Sequence, residues 1–226
     1  MKVVAIGGGG FTHGTFPALD QFCLDQLPPG GRKVGFIGMA SDDEPLKMQR
    51  FKSRFQTITE TQVLLERSMT AGQLKGALAD LDMVYVGGGD TEAMVAAWRR
   101  LGWDRVLVDA YRAGVTLAGT SAGAVCWFDR FLFHSGEGPM RPLEGLGLIA
   151  MGACPHYSSE PARREALHQT VSAGTMPATV AVDDGVAVAF ENGVPSALCK
   201  ADPEAGAYII RSVENGDTEQ IPLALV

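Results

Sequence analysis

The sequence has few cysteines and no long apolar run, and both shortages exclude classes of protein. Its four cysteines, Cys23, Cys126, Cys154 and Cys199, are scattered and form no C-x-x-C pair. This excludes a disulfide framework and argues against a zinc site, so we expect reduced, mostly buried thiols in a cytoplasmic protein and no bound metal. No apolar stretch approaches about 18 residues, and we therefore expect no membrane span.

Positive charge is also scarce. The formal net charge is −7 and the isoelectric point is about 5.1. Because phosphate backbones bind basic surfaces, nucleic acid is not expected as a partner. The N-terminal stretch MKVVAIGGGG has an apolar run too short for a signal peptide and predicts a first strand.

Nucleotide-binding fingerprints are missing as well. Gly7–Gly10 follows the first apolar run, but Thr12 stands where G-x-G-x-x-G requires its last glycine. A Walker A sequence does not occur either. We therefore expect no nucleotide and no other cofactor, and Gly7–Gly10 predicts a tight turn after a strand.

What the chain does contain is an alternation of short apolar runs and helical patterns. Strand candidates are Val3–Ile6, Lys33–Ile37, Met83–Val86 and Val115–Ala118, with amphipathic segments between them. This order predicts an α/β fold with a mostly parallel sheet that is covered on both faces. With 226 residues, 46% of them hydrophobic, we expect a single domain spanning residues 1–226.

The last third of the chain has a different pattern. Apolar runs occur at Thr179–Val182, Val186–Phe190, Ser196–Cys199 and Ala207–Arg211, and Asn192-Gly193 supplies a hairpin turn. We expect these runs to extend the same sheet in antiparallel fashion.

Glycine-rich loops follow the strands that end near residues 6, 86 and 118. In an open α/β sheet, ligands bind beyond the carboxyl ends of the strands, so these loops are expected to share one rim. The third loop, Gly119–Ala124, fits G-x-S-x-G directly after an apolar run and before a helix-compatible segment. That context is the one required for a nucleophilic Ser121 on a sharp turn.

A serine needs a base to accept its proton, and the chain has four histidines. His156 lies between an apolar run and a polar loop, and Pro155 restricts its backbone, so it is the candidate base. His168 is expected on the solvated face of a helix. The N–H of Ala122 is the expected oxyanion donor, with a second donor from Gly88 or Gly89.

Taken together, these motifs resemble the peptidase E (aspartyl dipeptidase) family of serine peptidases, to which the cyanophycinases are related. The residues that carry the resemblance are Gly7–Phe11, Gly87–Thr91, Gly119–Ala124 and Pro155-His156-Tyr157. The resemblance implies a three-layer αβα sandwich like that of class I glutamine amidotransferases. It also implies cleavage of N-terminal aspartate from small peptides without a metal.

The family roles that the resemblance implies fall on matching residues. Ser121 would be the nucleophile, His156 the base, and Gly88 and Ala122 the oxyanion donors. Family members usually carry an aspartate after the elbow helix as the third member of the triad, but no aspartate lies between Asp129 and Asp183. We expect Glu137 to take that place and hold the imidazole of His156; the alternatives are Ser135, a backbone carbonyl or no group at all.

Substrate contacts are expected from two segments. Gly89 and Asp90 follow the second glycine loop, and Asp90 could pair with the free amine of a peptide. Arg163 and Arg164 lie where the family has an arginine that binds an acidic side chain, since the guanidinium fork matches a carboxylate. Alternatively they form a solvated helix start or pair with a local acid such as Glu160.

The sequence therefore predicts a cytoplasmic serine exopeptidase whose partner is a small peptide, and an exposed sheet edge could support a homodimer. Three alternatives remain open. A cyanophycinase-like hydrolase would cleave an aspartate–arginine polymer. A glutamine amidotransferase-like protein would need cysteine at the elbow, where this chain has Ser121. A degenerate member would bind peptides without cleaving them.

Overall fold

The computed structural model describes residues 1–224, apart from the side chain of Asn215. Its helices and strands follow one another in this order: β1 (Lys2–Ile6), α1 (Pro17–Asp25), β2 (Lys33–Ile37), α2 (Pro45–Phe55), β3 (Glu60–Val63), α3 (Ala71–Leu78), β4 (Met83–Val86), α4 (Thr91–Leu101), α5 (Trp103–Arg112), β5 (Thr116–Thr120), α6 (Ala122–Val125), β6 (Phe128–Phe133), β7 (Arg141–Glu144), β8 (Ile149–Cys154), α7 (Pro161–Ser172), β9 (Thr179–Val182), β10 (Val186–Glu191), β11 (Val194–Lys200), β12 (Ala207–Ser212) and β13 (Thr218–Pro222).

The first sheet has seven strands in the order β11-β10-β1-β5-β4-β2-β3. The strands β1 to β5 pair in parallel, as predicted from their apolar runs, and β10 and β11 are added antiparallel at one edge. Alternate side chains enter two different buried clusters. In β4, for example, Met83 and Tyr85 pack with α1 and α2 on one face, while Val84 and Val86 pack on the other. Both faces of the sheet are therefore covered.

A second sheet of six strands has the order β13-β12-β9-β8-β6-β7. The strands β6, β8 and β9 are parallel neighbours, while β7, β12 and β13 join antiparallel. This corrects part of the expectation for the last third of the chain. The runs Val186–Phe190 and Ser196–Cys199 do extend the first sheet, but Thr179–Val182 and Ala207–Arg211 belong to the second.

The two sheets share one hydrophobic core. A single buried cluster contains Val3 and Phe190 of the first sheet together with Phe128 and Val180 of the second. The rings of Phe128 and Phe190 meet edge to face, with centroids 5.3 Å apart. The strand ends of both sheets are therefore held in a fixed mutual position, which matters for the site described next.

The four cysteines have no disulfide partner, and Cys23, Cys126 and Cys154 are buried. Burial raises the pKa of all four thiols, that of Cys154 to about 12, so they are poor nucleophiles. Among residues 1–224, no helix has the length and apolar character needed to cross a membrane.

Candidate active site

Ser121 lies on the sharp turn between β5 and α6. Its backbone has φ 52° and ψ −114°, a conformation that residues other than glycine rarely adopt. The Ser121 N–H donates to the carbonyl of Ile6 at the end of β1, 3.0 Å away, and the Ser121 carbonyl accepts the N–H of Ala124. The strained turn projects the hydroxyl away from the sheet, as expected for a nucleophile elbow.

The partners of Ser121 come from the second sheet. His156 follows β8, and Asp184 follows the neighbouring parallel strand β9. The carboxyl ends of adjacent parallel strands lie side by side, so the fold brings these two residues together although 28 positions separate them. The site is thus assembled from the rims of both sheets.

The three side chains form a continuous hydrogen-bonded line. The Oγ atom of Ser121 lies 2.8 Å from Nε2 of His156, and Nδ1 of His156 lies 2.6 Å from Oδ1 of Asp184. Burial raises the pKa of Asp184, but the hydrogen bond and charge of His156, with smaller effects of Ser159 and His13, outweigh it and lower that pKa below its usual value. Because an ionised carboxylate can only accept, Nδ1 carries the proton and Nε2 is free to accept the serine proton.

The first glycine loop makes room for Asp184. A Cβ added to Gly8 would stand 1.8 Å from Oδ1 of Asp184 and 2.8 Å from Cε1 of His156. The Gly8 carbonyl also accepts the N–H of Gly185, 2.9 Å away, which fixes the segment that carries the carboxylate. The tight turn predicted at Gly7–Gly10 lies further along the chain, because the N–H groups of His13, Gly14 and Thr15 all donate to the carbonyl of Gly10. Gly7–Gly10 itself leads from β1 to that turn, and the bridge between Gly8 and Asp184 gives it a role at the site.

Two backbone N–H groups flank the serine. Ala122 opens α6, where the first N–H groups have no partner within the helix. On the other side is Gly88, where an added Cβ would lie 3.3 Å from Cβ of Ser121. The Gly88 carbonyl accepts from Nζ of Lys47 at 3.0 Å, and the Asp90 N–H donates to the carbonyl of Ala40 at 2.7 Å, so the loop is anchored at two points. The two sequence-predicted oxyanion donors therefore lie beside Ser121.

The structure corrects the expectation that Glu137 holds the imidazole. Glu137 lies in an exposed loop, where its carbonyl accepts the hydroxyl of Ser135 at 2.7 Å, while Nδ1 of His156 is engaged by Asp184. The expectation followed the family's usual position for the acid, the loop after the elbow helix, whereas the carboxylate at His156 comes from Asp184, directly after β9. The available signal was Asp183-Asp184-Gly185, a polar turn directly after the apolar run of β9.

A cavity of about 310 Å³ lies beside the second glycine loop. It is lined by residues from that loop, from the segment after β6 and from the start of α7: Gly89, Asp90, Phe133, His134, Ser135, Gly136, Glu160 and Arg163. The Asp90 side chain also caps α4, since its Oδ1 accepts the Ala93 N–H at 2.9 Å. Gly89, Asp90 and Arg163, all expected to contact substrate, are therefore brought to one cavity.

The two arginines expected at the substrate lie apart. Arg163 is buried at the cavity wall and pairs with Glu160, one of the alternatives that the sequence left open. Arg164 instead donates to Oε1 of Gln220 at 3.0 Å and lies over the ring of Tyr157, at 5.4 Å from its centroid. The geometry does not support Arg164 as a substrate ligand.

His168 is half-buried, which corrects the expectation of a solvated side chain. Its Nε2 lies 2.9 Å from the Tyr157 hydroxyl and its Nδ1 lies 2.6 Å from Oγ1 of Thr218. Burial, with a smaller effect of Arg164, lowers the pKa of His168. The residue joins α7 to β13 and takes no part in the line of Ser121, His156 and Asp184. Among residues 1–224, no group of three or more His, Cys, Asp or Glu side chains is placed to hold a metal ion.

A serine on a tight strand-to-helix turn, with a histidine and a carboxylate in line behind it, is the arrangement of serine hydrolases. The chain belongs to peptidase family S51, whose sequence profile matches residues 3–196. It is 34% identical over 224 residues to the uncharacterized peptidase YgaJ of Bacillus subtilis (strain 168), a match that covers 98% of this chain and 96% of that protein. The protein is a serine-type peptidase, and the resemblance drawn from the sequence is confirmed.

Two solved structures share the fold. The crystal structure of a peptidase from an acI-B1 Actinobacterium matches with a TM-score of 0.73 and 16% identity, over 99% of this chain and 94% of that one. A candidate peptidase E protein from Listeria monocytogenes EGD-e matches with a TM-score of 0.61 and 17% identity, over 99% and 98% of the two chains. These likenesses confirm the expected α/β peptidase fold.

Proposed function

We propose that this peptidase is a dipeptidase-like exopeptidase that hydrolyses short peptides with N-terminal aspartate through Ser121, His156 and Asp184. The observation that carries the proposal is the pair of hydrogen bonds, 2.8 Å and 2.6 Å long, that joins the three side chains. A cytoplasmic location is part of the proposal, because the four cysteines are unpaired.

The first half of the reaction forms an acyl-enzyme. Oγ of Ser121 attacks the carbonyl carbon of the scissile bond while its proton moves to Nε2 of His156. The oxyanion that develops is held by the N–H groups of Gly88 and Ala122, and such a donor typically contributes about 3–4 kcal/mol to the barrier reduction. His156 then returns the proton to the leaving amine, and the peptide bond breaks.

The second half of the reaction releases the acyl group. A water molecule gives a proton to Nε2 of His156 and attacks the ester carbonyl, and the Ser121 oxygen takes the proton back as it leaves. Throughout both halves Asp184 stays ionised, fixes the tautomer of the imidazole and stabilises its charged form. Its lowered pKa agrees with this role.

The cavity next to the second glycine loop supports an exopeptidase. Asp90 offers a carboxylate to the α-ammonium group of a peptide. Arg163, whose guanidinium is paired with Glu160, would bind an acidic side chain that takes the place of that partner. A volume of about 310 Å³ suits one or two residues better than a long chain. This favours short peptides over a polymer as the substrate.

The alternative of a member that binds peptides without cleaving them rested on the missing acid of the triad. Asp184 supplies a carboxylate at Nδ1 of His156, and this observation argues against that alternative. We therefore favour catalysis over binding alone.

The proposal is tested with a panel of dipeptides (Asp-X, Glu-X, Ala-X and X-Asp), their N-acetylated forms and an aspartate–arginine polymer. Wild type should cleave the free dipeptides, with Asp-X preferred, and should leave the acetylated forms and the polymer intact. Ser121→Ala should lose roughly 10⁴- to 10⁶-fold in kcat while its circular dichroism is unchanged.

The matched control is Ser53→Ala, at an exposed position on α2, which should match wild type. Turnover by Ser121→Ala equal to that of wild type would overturn the mechanism. Cleavage of the polymer instead of the dipeptides would overturn the substrate assignment.

A further inference from the structure

The guanidinium of Arg163 is already occupied by a carboxylate of the protein itself. Its Nε and Nη2 atoms both donate to Oε2 of Glu160, at 2.9 Å and 2.7 Å, and its Nη1 donates to the carbonyl of Leu132 at 3.3 Å. The Arg163 side chain is only 7% exposed, whereas that of Glu160 is 40% exposed. The arginine is thus fixed in the wall, and its partner is the more accessible member of the pair.

The pair belongs to the cavity beside the second glycine loop, the loop that also carries Gly88 next to Ser121. Both residues line this cavity together with Gly89 and Asp90, which follow the expected oxyanion donor Gly88 in the chain. The Glu160 N–H donates to the carbonyl of His156, 3.2 Å away, so the backbone of Glu160 is tied to the candidate base. A side chain that enters the cavity from a peptide held at Ser121 would therefore meet this pair.

A carboxylate from a substrate would need the same edge of the guanidinium. The Nε and Nη2 hydrogens form one of the forks through which arginine binds carboxylates, and Glu160 holds it. Glu160 and Asp90 also bring two negative charges to a cavity with one arginine. An acidic side chain therefore reaches Arg163 only after Glu160 has been displaced.

We propose that Glu160 is a specificity-determining residue that competes with acidic substrate side chains for Arg163 and so limits the preference for N-terminal aspartate. The inference rests on the proposed function, because it presumes that this cavity receives the N-terminal residue. Removing the charge of Glu160 leaves a buried, uncompensated guanidinium, which binds an incoming carboxylate more strongly.

The test is the ratio of kcat/KM for Asp-Ala to kcat/KM for Ala-Ala in wild type and in Glu160→Gln. A hydrogen bond to a charged group contributes roughly one to two orders of magnitude to a binding constant. The ratio should therefore rise roughly 10- to 100-fold in Glu160→Gln, where the substrate carboxylate no longer competes with a charged Glu160. The change should appear in the KM for Asp-Ala. Inhibition of Ala-Ala hydrolysis by succinate, a small dicarboxylate, should strengthen in parallel.

The matched control is Glu219→Gln. Glu219 receives the Nε and Nη2 atoms of Arg211 at the same 2.9 Å and 2.7 Å, on β13 and outside the cavity. Its substitution removes the same charge and the same two hydrogen bonds from an arginine that is exposed and distant from the cavity, and the ratio should stay at the wild-type value. A rise of equal size in Glu219→Gln would show a general effect of charge and overturn the proposal.

An unchanged or lower ratio in Glu160→Gln would also overturn the inference while leaving the peptidase itself in place. Failure of the proposed function looks different, since no dipeptide would then be cleaved by wild type. Should Glu160→Gln fail to fold, Glu160→Asp keeps the charge but is one methylene shorter. It should loosen the pair and still raise the ratio, and an unchanged ratio in that variant would count against competition.

Discussion

At the scale of single residues, the site depends on one charged hydrogen bond between Asp184 and His156. The 2.6 Å distance lies just below the range of about 2.7–2.9 Å for charge-assisted N–H···O bonds, so this is a short, charge-assisted hydrogen bond. Asp184 is 39% exposed and His156 is 19% exposed, so water competes for the carboxylate more than for the imidazole. The value of the bond therefore lies in fixing the tautomer and orientation of the ring more than in stabilising the fold.

We predict that Asp184→Asn lowers kcat about 10⁴-fold with little change in KM. An amide at this position can donate to Nδ1, and the imidazole proton then lies on Nε2. A protonated Nε2 cannot accept the hydroxyl proton of Ser121. Steady-state kinetics on the best dipeptide of the panel measures the loss. The melting temperature should stay close to that of wild type, because the side chain is partly exposed.

Glu137→Gln provides the matched control for this prediction. It removes one carboxylate from the exposed loop, where Glu137 is bonded through its backbone to Ser135. Its kcat should remain within about twofold of wild type, since a substitution on the surface, away from the buried core and from the hydrogen bonds of the site, has a small effect. A large loss of kcat in Glu137→Gln, together with wild-type kcat in Asp184→Asn, would show that Glu137 and not Asp184 orients the imidazole of His156.

The contrast between these two acids also shows what the sequence could predict of the site. Ser121 and the N–H of Ala122 belong to one local motif, and His156 follows an apolar run at a restricted turn, so short-range patterns are sufficient. Asp184 meets His156 only because β8 and β9 are parallel neighbours. The polar turn Asp183-Asp184-Gly185 marks the end of a strand, but strand adjacency is a non-local property, and nothing in that turn identifies β8 as the neighbour of β9.

At the scale of elements, the position of Ser121 depends on how closely α6 approaches β4. A Cβ added to Gly123 would stand 2.0 Å from the carbonyl oxygen of Val86, which is backbone and cannot move aside easily. The second glycine of G-x-S-x-G is therefore a packing requirement of the elbow. Four residues of helix are held against the sheet by this contact.

We predict that Gly123→Ala destabilises the protein by about 1–3 kcal/mol, as expected for an overpacked core. It should also lower kcat about 10²-fold, because a shift of α6 by about 1 Å misplaces Ser121 and the proposed oxyanion donor, the N–H of Ala122. Chemical denaturation and dipeptide kinetics measure the two effects.

Gly76→Ala is the companion substitution in an uncrowded helix. Gly76 lies on the exposed side of α3 with nothing within 4 Å of an added Cβ. The change should raise the stability by about 0.5–1 kcal/mol and leave kcat unaltered, since alanine is the better helix former. Equal behaviour of the two variants would contradict the packing explanation of the elbow.

Elements differ in how far their arrangement could be predicted. The fully buried strands β4 and β5 and the helices between them indicate a parallel sheet, and this prediction is confirmed. The same kind of apolar run occurs in β9 and β10, yet these strands lie in different sheets. An apolar run specifies that a strand is buried, but it carries no information on which strand lies beside it.

At the scale of the whole molecule, the site exists only while both sheets keep their relative position. Ser121 belongs to the first sheet, and His156 and Asp184 to the second. The core that joins the two sheets contains the contact between Phe128 and Phe190. It also contains the stacked rings of Trp98 and Trp127, whose centroids are 5.8 Å apart. We therefore expect the sheets to unfold together.

This expectation gives a prediction for Phe128→Ala. Phe128 is fully buried where the sheets meet, and truncation of such a ring typically costs about 3–5 kcal/mol. Tryptophan fluorescence, far-ultraviolet circular dichroism and peptidase activity should be lost in one coincident transition, at lower denaturant than in wild type. The control Ile58→Ala, at a side chain that is 44% exposed, should shift the stability by less than about 0.5 kcal/mol. Activity lost well before the other two signals would show that the sheets separate while each stays folded, and a shared core would then not be what holds Ser121 against His156.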